Sequence, residues 1–402
     1  MDALKGIRIV DFSWAYAGPY ATELLAFLGA EVIKVESRKR LCVTRRQPHP
    51  VTAQPYDIND CPYFKDFNMN KLGVTLDLSK PKAVELAKRL VEKSDVVVES
   101  FTPGVMDRLG LGYQTLKSVN PRIIMLSTSA NGGTGPEARY VGYAPMFNAT
   151  SGLGEMTGYP DGPPTVMRIT LDNVVAHFNA FAILAALIHR ERTGEGQYID
   201  TASQEAIACL IGESIMHYTM NEIVPSREGN RDEIWAPHNC YRCRGEDRWV
   251  AIAIATEAEW QALCQVIGNP PWTKERRFSD SYLRWQNQDE LDRLLEAWTI
   301  NYTSYELMHL LQDVGVAAVP SFTSADLFSD PHLGEREFCQ VFTRSRTGSY
   351  LLVNPPWKLS LSPASIVRDA PDLGEHNEYV FGKLLGMSEM EIQELEQEGI
   401  LY

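Results

Sequence analysis

Asp172 is the residue whose placement most invites chemistry. It stands just ahead of Val174–Leu187, a run made almost wholly of Ala, Val, Ile, Leu and Phe. That run predicts a long helix apolar on nearly every face, and such a helix is normally buried on nearly every face. A carboxylate at its mouth sits where an N-cap would, accepting from the first-turn N–H groups. Position alone favours the cap over catalysis, so other residues must decide.

A second constellation is cationic. Lys34, Arg38, Lys39, Arg40, Arg45 and Arg46 crowd one stretch of a chain whose net charge is −14. A phosphate-bearing ligand would want cations there; a solvated loop is the competing reading. The turn Ala17-Gly18-Pro19 adds free N–H groups at a helix start. The overall negative charge argues against nucleic acid as a general partner.

The remaining candidates are weaker. Cys240-Tyr-Arg-Cys243 has His238 nearby but no second ligand pair for a metal. Seven dispersed cysteines suit reduced thiols. The eight histidines form no His-x-x-x-His pair, and His177 and His189 read as core or helix-end residues. No Gly-x-Gly-x-x-Gly follows the first strand, and no phosphate-loop or Gly-x-Ser-x-Gly pattern exists, which disfavours dinucleotide enzymes and serine hydrolases.

These residues need a frame. Gly6–Phe12, Ala30–Glu36, Gly73–Leu78, Asp95–Phe101, Arg122–Ser129 and Gln197–Ser203 read as strands alternating with helices at Tyr20–Leu28 and Pro81–Lys93. Near-continuous apolar strands suit a parallel sheet covered on both faces. The class is α/β, with a Rossmann-like open parallel sheet of doubly wound type, whose ligands bind beyond the carboxyl ends of the strands. Asn131–Pro164 is a long glycine- and proline-rich loop. Asn239–Ile254 predicts an antiparallel hairpin followed by amphipathic helices, which is α+β in character. The expected organisation is a large domain at 1–221, a small α+β domain with linkers at 222–325, and a return segment with terminal helices at 326–402. The N-terminal residues lack an apolar signal region and no apolar run of membrane length escapes a polar break, so a cytoplasmic protein is expected.

Several segments in order resemble the class III CoA-transferases, whose fold is shared with the α-methylacyl-CoA racemases. They are Leu4–Phe12 with Ala17–Thr22, Leu28–Glu36, Asn70–Leu78, Asp95–Gly110, Leu184–Gln197 and Leu373–Asn377. The resemblance implies that Asp172 is the nucleophile, passing through aspartyl anhydride and aspartyl-CoA thioester intermediates. It also implies that the helix N-terminus keeps that carboxylate ionised. It places Trp14, Ala15, Tyr16, Ala17, Phe101 and Arg108 along the CoA site. The family's arginine after strand two is displaced by Ser37, leaving Arg38, and Arg139 is the nearest basic residue in the loop after Ser129. CoA thioesters are then substrates, with no permanently bound cofactor and no metal.

One departure separates the branches. Racemases pair their aspartate with a histidine, whereas this chain reads Gly142-Tyr143-Ala144, so transfer is favoured over racemisation. The formyl- and oxalate-type transferases have a glutamate where Pro145 stands, and their glycine-rich lid is not evident near Trp235–Cys240. The pattern looks most like the benzylsuccinate CoA-transferase-like branch, which activates aryl- or alkyl-succinates with succinyl-CoA. Family resemblance further implies an interlocked dimer, or a heteromer with a related subunit. A racemase and an inactive CoA-binding partner subunit are the alternatives.

Overall fold

The computed structural model describes residues 2–167, 169–344 and 348–402. Six short strands build one parallel sheet: β1 (Arg8–Asp11), β2 (Glu31–Glu36), β3 (Leu72–Thr75), β4 (Val96–Glu99), β5 (Ile124–Ser129) and β6 (Tyr198–Ala202). Their order is β3-β2-β1-β4-β5-β6, so the chain reverses direction across the sheet between β1 and β4. Strand β4 and most of β5 are buried and largely apolar because both faces are covered. The expected doubly wound α/β sheet is therefore present.

Three helices flank the sheet. α1 (Ala17–Phe27) begins shortly after β1 and buries Leu24, Leu25 and Phe27. α2 (Pro81–Glu92) covers the other face through Ala83, Leu86, Ala87, Leu90 and Val91. α3 is the long helix, Ile169–Thr193, and packs beside α1 and β5. Its C-terminal end is pinned by Arg190, which pairs with Asp95 at 2.9 Å. Cations in a last helical turn also suit the negative end of the helix dipole.

α3 departs from expectation in two respects. It starts at Ile169, so Asp172 lies within its first turn and is not the N-cap residue. It is also apolar enough and long enough to cross a membrane, yet one face of it is bare: Phe178, Phe181 and Ile188 are exposed, Phe181 by 73%. Full burial is thus not what this chain alone gives it.

The C-terminal segment covers the edge strand β3. His376 Nδ1 accepts from the Gly73 N–H at 3.1 Å, and Asn377 Oδ1 accepts from the Thr75 N–H at 2.9 Å. Covering an edge this way removes a row of free backbone groups.

The chain folds as two compact units. The first takes Met1–Gly154, Val166–Val224 and Glu337–Tyr402; the second takes Glu155–Thr165 and Pro225–Arg336. The second unit holds a three-stranded antiparallel sheet of β7 (His238–Arg242), β8 (Trp249–Ala253) and β9 (Ala317–Pro320). Its own core centres on Trp260, Leu263, Phe278, Leu291 and Leu307. It also claims 155–165, a stretch that the sequence pattern assigns to the large domain. Arg227 explains this locally, since its guanidinium holds the Glu155 carboxylate at 2.7 Å.

Candidate active site

The carboxyl ends of β1, β2, β4 and β5 open into a cavity of about 630 Å³ within the first unit. This is the place where the strand order reverses, as open α/β sheets favour for ligands.

The wall at β1 is built from a buried charge network. Asp11 is fully buried at the strand end and accepts from the Thr22 hydroxyl at 2.8 Å and the Ser13 N–H at 2.9 Å. Lys71 Nζ lies 3.0 Å and Lys34 Nζ 3.5 Å from its carboxylate. Burial alone would raise the Asp11 pKa, but the two lysines hold it far below the carboxylate range. Burial drops Lys71 to about 8, with Asp11 opposing that fall. Lys34 Nζ also donates to the Ser13 carbonyl, which fixes the turn that follows.

That turn presents Trp14, Ala15 and Ala17 to the cavity. Ala15 adopts φ 61°, a left-handed conformation that is costly for a residue with a Cβ. Gly18 must be glycine, because a Cβ there would lie 2.4 Å from the Ser13 Cβ. Trp14 is held by Ser100, whose hydroxyl accepts from the Trp14 N–H at 2.7 Å. The Trp14 ring meets Phe101 edge-on at 5.7 Å, and the Arg40 guanidinium lies over it at 5.1 Å.

The basic run separates into three groups. Lys34 and Arg45 are structural: Arg45 is buried, and its Nη2 sits 2.8 Å from Glu36. Lys39 and Arg40 line the cavity, with Lys39 paired to Asp77 at 2.6 Å. Arg38 and Arg46 are exposed and line nothing there. Arg108 and Arg139 are likewise exposed and outside the lining. Arg38, Arg108 and Arg139 lie outside that lining; among the described residues, the cations lining this cavity are Lys39 and Arg40. Only their position just after β2 marked them in the sequence.

At the other end stand Asp172, Ala130, Gly142, Tyr143, Phe147 and Ser203. Burial pushes the Asp172 carboxyl up to about 7. That shift opposes the ionising effect expected of the helix start. Tyr16 is not in the lining. Its phenol is pushed up to about 12, first by burial and then by the charge of Asp172. Among the described residues, three carboxylates border the cavity: Glu36, Asp77 and Asp172. Arg45 neutralises Glu36 and Lys39 neutralises Asp77. No histidine is among the described residues of the lining.

The Cys240–Cys243 pair is in the second unit, and burial raises both thiols, Cys243 to about 11. Protonated thiols are poor ligands and poor nucleophiles.

A parallel sheet with this strand order and a cavity at its switch point define a doubly wound α/β protein with a candidate ligand site. The model of CoA-transferase family III matches residues 4–377, and the chain belongs to that family. It is 32% identical to the succinyl-CoA–D-citramalate CoA-transferase of Chloroflexus aurantiacus, over 99% of this chain and 98% of the relative. It is also 32% identical to the succinyl-CoA–L-malate CoA-transferase beta subunit of the same organism, with 99% and 98% covered. A solved CaiB/BaiF family protein from Brucella suis superposes with a TM-score of 0.86 at 31% identity, covering 95% of this chain and 99% of that one. This protein is a class III CoA-transferase, and CoA thioesters are its substrates.

Proposed function

We propose that this enzyme moves CoA from succinyl-CoA to a carboxylic acid of the succinate type, such as an aryl- or alkyl-succinate, using Asp172 as its nucleophile. The supporting observation is that two of the three cavity carboxylates are tied up by cations, while Asp172 is set apart by burial beside the long loop. Trp14, Phe101 and Arg40 offer a flat aromatic and cationic corner for the nucleotide end of CoA. Lys39 and Arg40 supply charge for its phosphates.

The Asp172 carboxylate adds to the succinyl carbonyl carbon, the C–S bond breaks and CoA leaves as thiolate. The thiolate then attacks the aspartyl carbonyl of the mixed anhydride, which expels succinate and leaves an aspartyl-CoA thioester. The acceptor carboxylate attacks that thioester and releases the thiolate again. Finally the thiolate takes the acceptor's acyl carbon, restoring the Asp172 carboxylate. Each step exchanges one acyl bond for another, so no external energy source is needed. Racemisation would want a second acid/base group facing Asp172, and the 142–144 segment offers Tyr143 without a histidine. The working form is an oligomer, either of this chain alone or with a related subunit.

Transfer from succinyl-CoA to a panel of substituted succinates and malates tests this reading. Wild-type protein is expected to turn over and to carry a CoA-sized mass adduct on a peptide containing Asp172. Asp172→Ala should show neither; turnover at the wild-type rate in that variant would end the proposal.

A further inference from the structure

β5 ends in two hydroxyl residues, Thr128 and Ser129, and both border the cavity. Their hydroxyls have different fates. The Thr128 hydroxyl accepts from the Asn179 amide at 3.2 Å, which ties α3 to the sheet. The Ser129 Oγ is shielded from solvent and has no hydrogen-bond partner among the described residues. A buried hydroxyl left unpaired costs free energy that an alanine would not. A catalytic role, with a bound ligand as the missing partner, is one explanation for such a group.

Ser129 and Asp172 border the same cavity. The Ser129 backbone is locked by the β5–β6 ladder opposite Ala202, so only the side chain can adjust. Turning its χ1 between staggered wells toward the cavity forfeits no bond, because the hydroxyl makes none among the described residues.

Resting on the transferase reading above, we infer that the Ser129 hydroxyl donates a hydrogen bond to the acyl carbonyl oxygen of the thioester undergoing attack by Asp172. As the Asp172 oxygen bonds to the carbonyl carbon, negative charge gathers on that oxygen. A donor fixed at the strand end stabilises it until the C–S bond breaks and the thiolate departs with its electron pair. Ser129 is then a catalytic residue of the acyl end of the site, distinct from the contacts that hold the nucleotide.

The test compares Ser129→Ala with wild type by calorimetric binding of two probes. One is free CoA. The other is a succinyl-CoA analogue with a methylene in place of sulfur, which keeps the carbonyl but cannot react. Ser129→Ala is expected to bind the analogue about tenfold more weakly and to bind CoA as wild type does. Its melting temperature should be unchanged or higher, since no protein contact is lost. Equal weakening for both probes, no weakening for either, or a melting temperature several degrees lower would each overturn the inference. Wild-type protein that binds neither probe would overturn the transferase reading and this inference together.

Discussion

A carboxylate nucleophile must be ionised to attack, and the burial that shapes the Asp172 pocket works against that. Burial pushes the Asp172 carboxyl up to about 7, so protonation competes with attack near neutrality. The predicted consequence is a kcat/KM that climbs about tenfold per pH unit below 7 and levels above it. A profile flat from pH 5 to 8 would remove Asp172 as the titrating nucleophile. The same shift has a stability cost of known sign. The folded-state pKa lies above the unfolded value of about 4, so ionisation opposes folding as pH rises from about 4 through 7. Asp172→Asn removes that penalty and should be more stable than wild type at pH 8 by roughly 1–3 kcal/mol, after allowing for solvent screening of a group that borders an open cavity. At pH 4 the difference should vanish, which urea titrations at the two pH values would reveal. The cavity cations permit a sharper contrast. Arg40→Ala should raise the KM for succinyl-CoA several-fold, whereas Arg139→Ala, outside the lining, should leave it alone.

At the scale of elements, the strand end of β1 and the turn after it depend on charges placed far apart in the chain. Lys71 reaches Asp11 from β3's side of the sheet, and both are fully buried. Lys71→Met would leave Asp11 with the more distant Lys34 as its remaining cation, and breaking a buried pair from one side costs about 3–5 kcal/mol. Thermal unfolding should show that loss together with a higher KM for CoA, because the Trp14 turn hangs from the same network. The edge covered by the C-terminal segment makes a second prediction. Burial lowers the His376 pKa below its usual value, and its Nδ1 must stay unprotonated to accept from Gly73. Stability from this contact is present above about pH 6.5 and declines as pH falls below it, since the unfolded chain then binds the proton more readily. His376→Gln should flatten that decline. What the sequence revealed and concealed follows the same division. The sheet was legible because buried strands such as Val96–Glu99 are largely apolar and the helices between them carry a 3.6-residue period. The family motifs likewise pointed to Asp172, Trp14 and Phe101, which the fold brings to one cavity. The placement of Lys39 and Arg40 in the cavity lining, and the burial that raises the Asp172 pKa, depend on which side chains meet across the sheet, and local pattern carries no such information. The start of α3 was missed because Asp172, a capping residue type ahead of the apolar run, suggests a later boundary than Ile169.

For the molecule as a whole, the tension lies in α3. One face packs on α1 and β5, and Phe178, Phe181, Ala185 and Ile188 share the opposite face, three or four residues apart. Contiguous apolar surface of this kind on a chain of net charge −14 marks an interface or a membrane contact. A membrane is the poorer fit, since the same helix buries Asn179 against Thr128 and ends in Arg190 bound to Asp95 within the first unit. Pulling it into lipid would strip those polar groups of their partners. The first unit also bares Met216, Tyr218 and Met220 on the helix Gly212–Asn221, a second exposed apolar surface. The oligomer proposed above, of this chain alone or with a related subunit, would cover both surfaces. Phe181→Arg places a charge in the middle of the α3 face and should shift sedimentation from oligomer toward monomer, with the far-ultraviolet circular dichroism unchanged. If wild type instead sediments as a monomer and binds lipid vesicles, the membrane contact takes precedence. If Phe181→Arg remains fully oligomeric, the α3 face is not the surface that joins the chains.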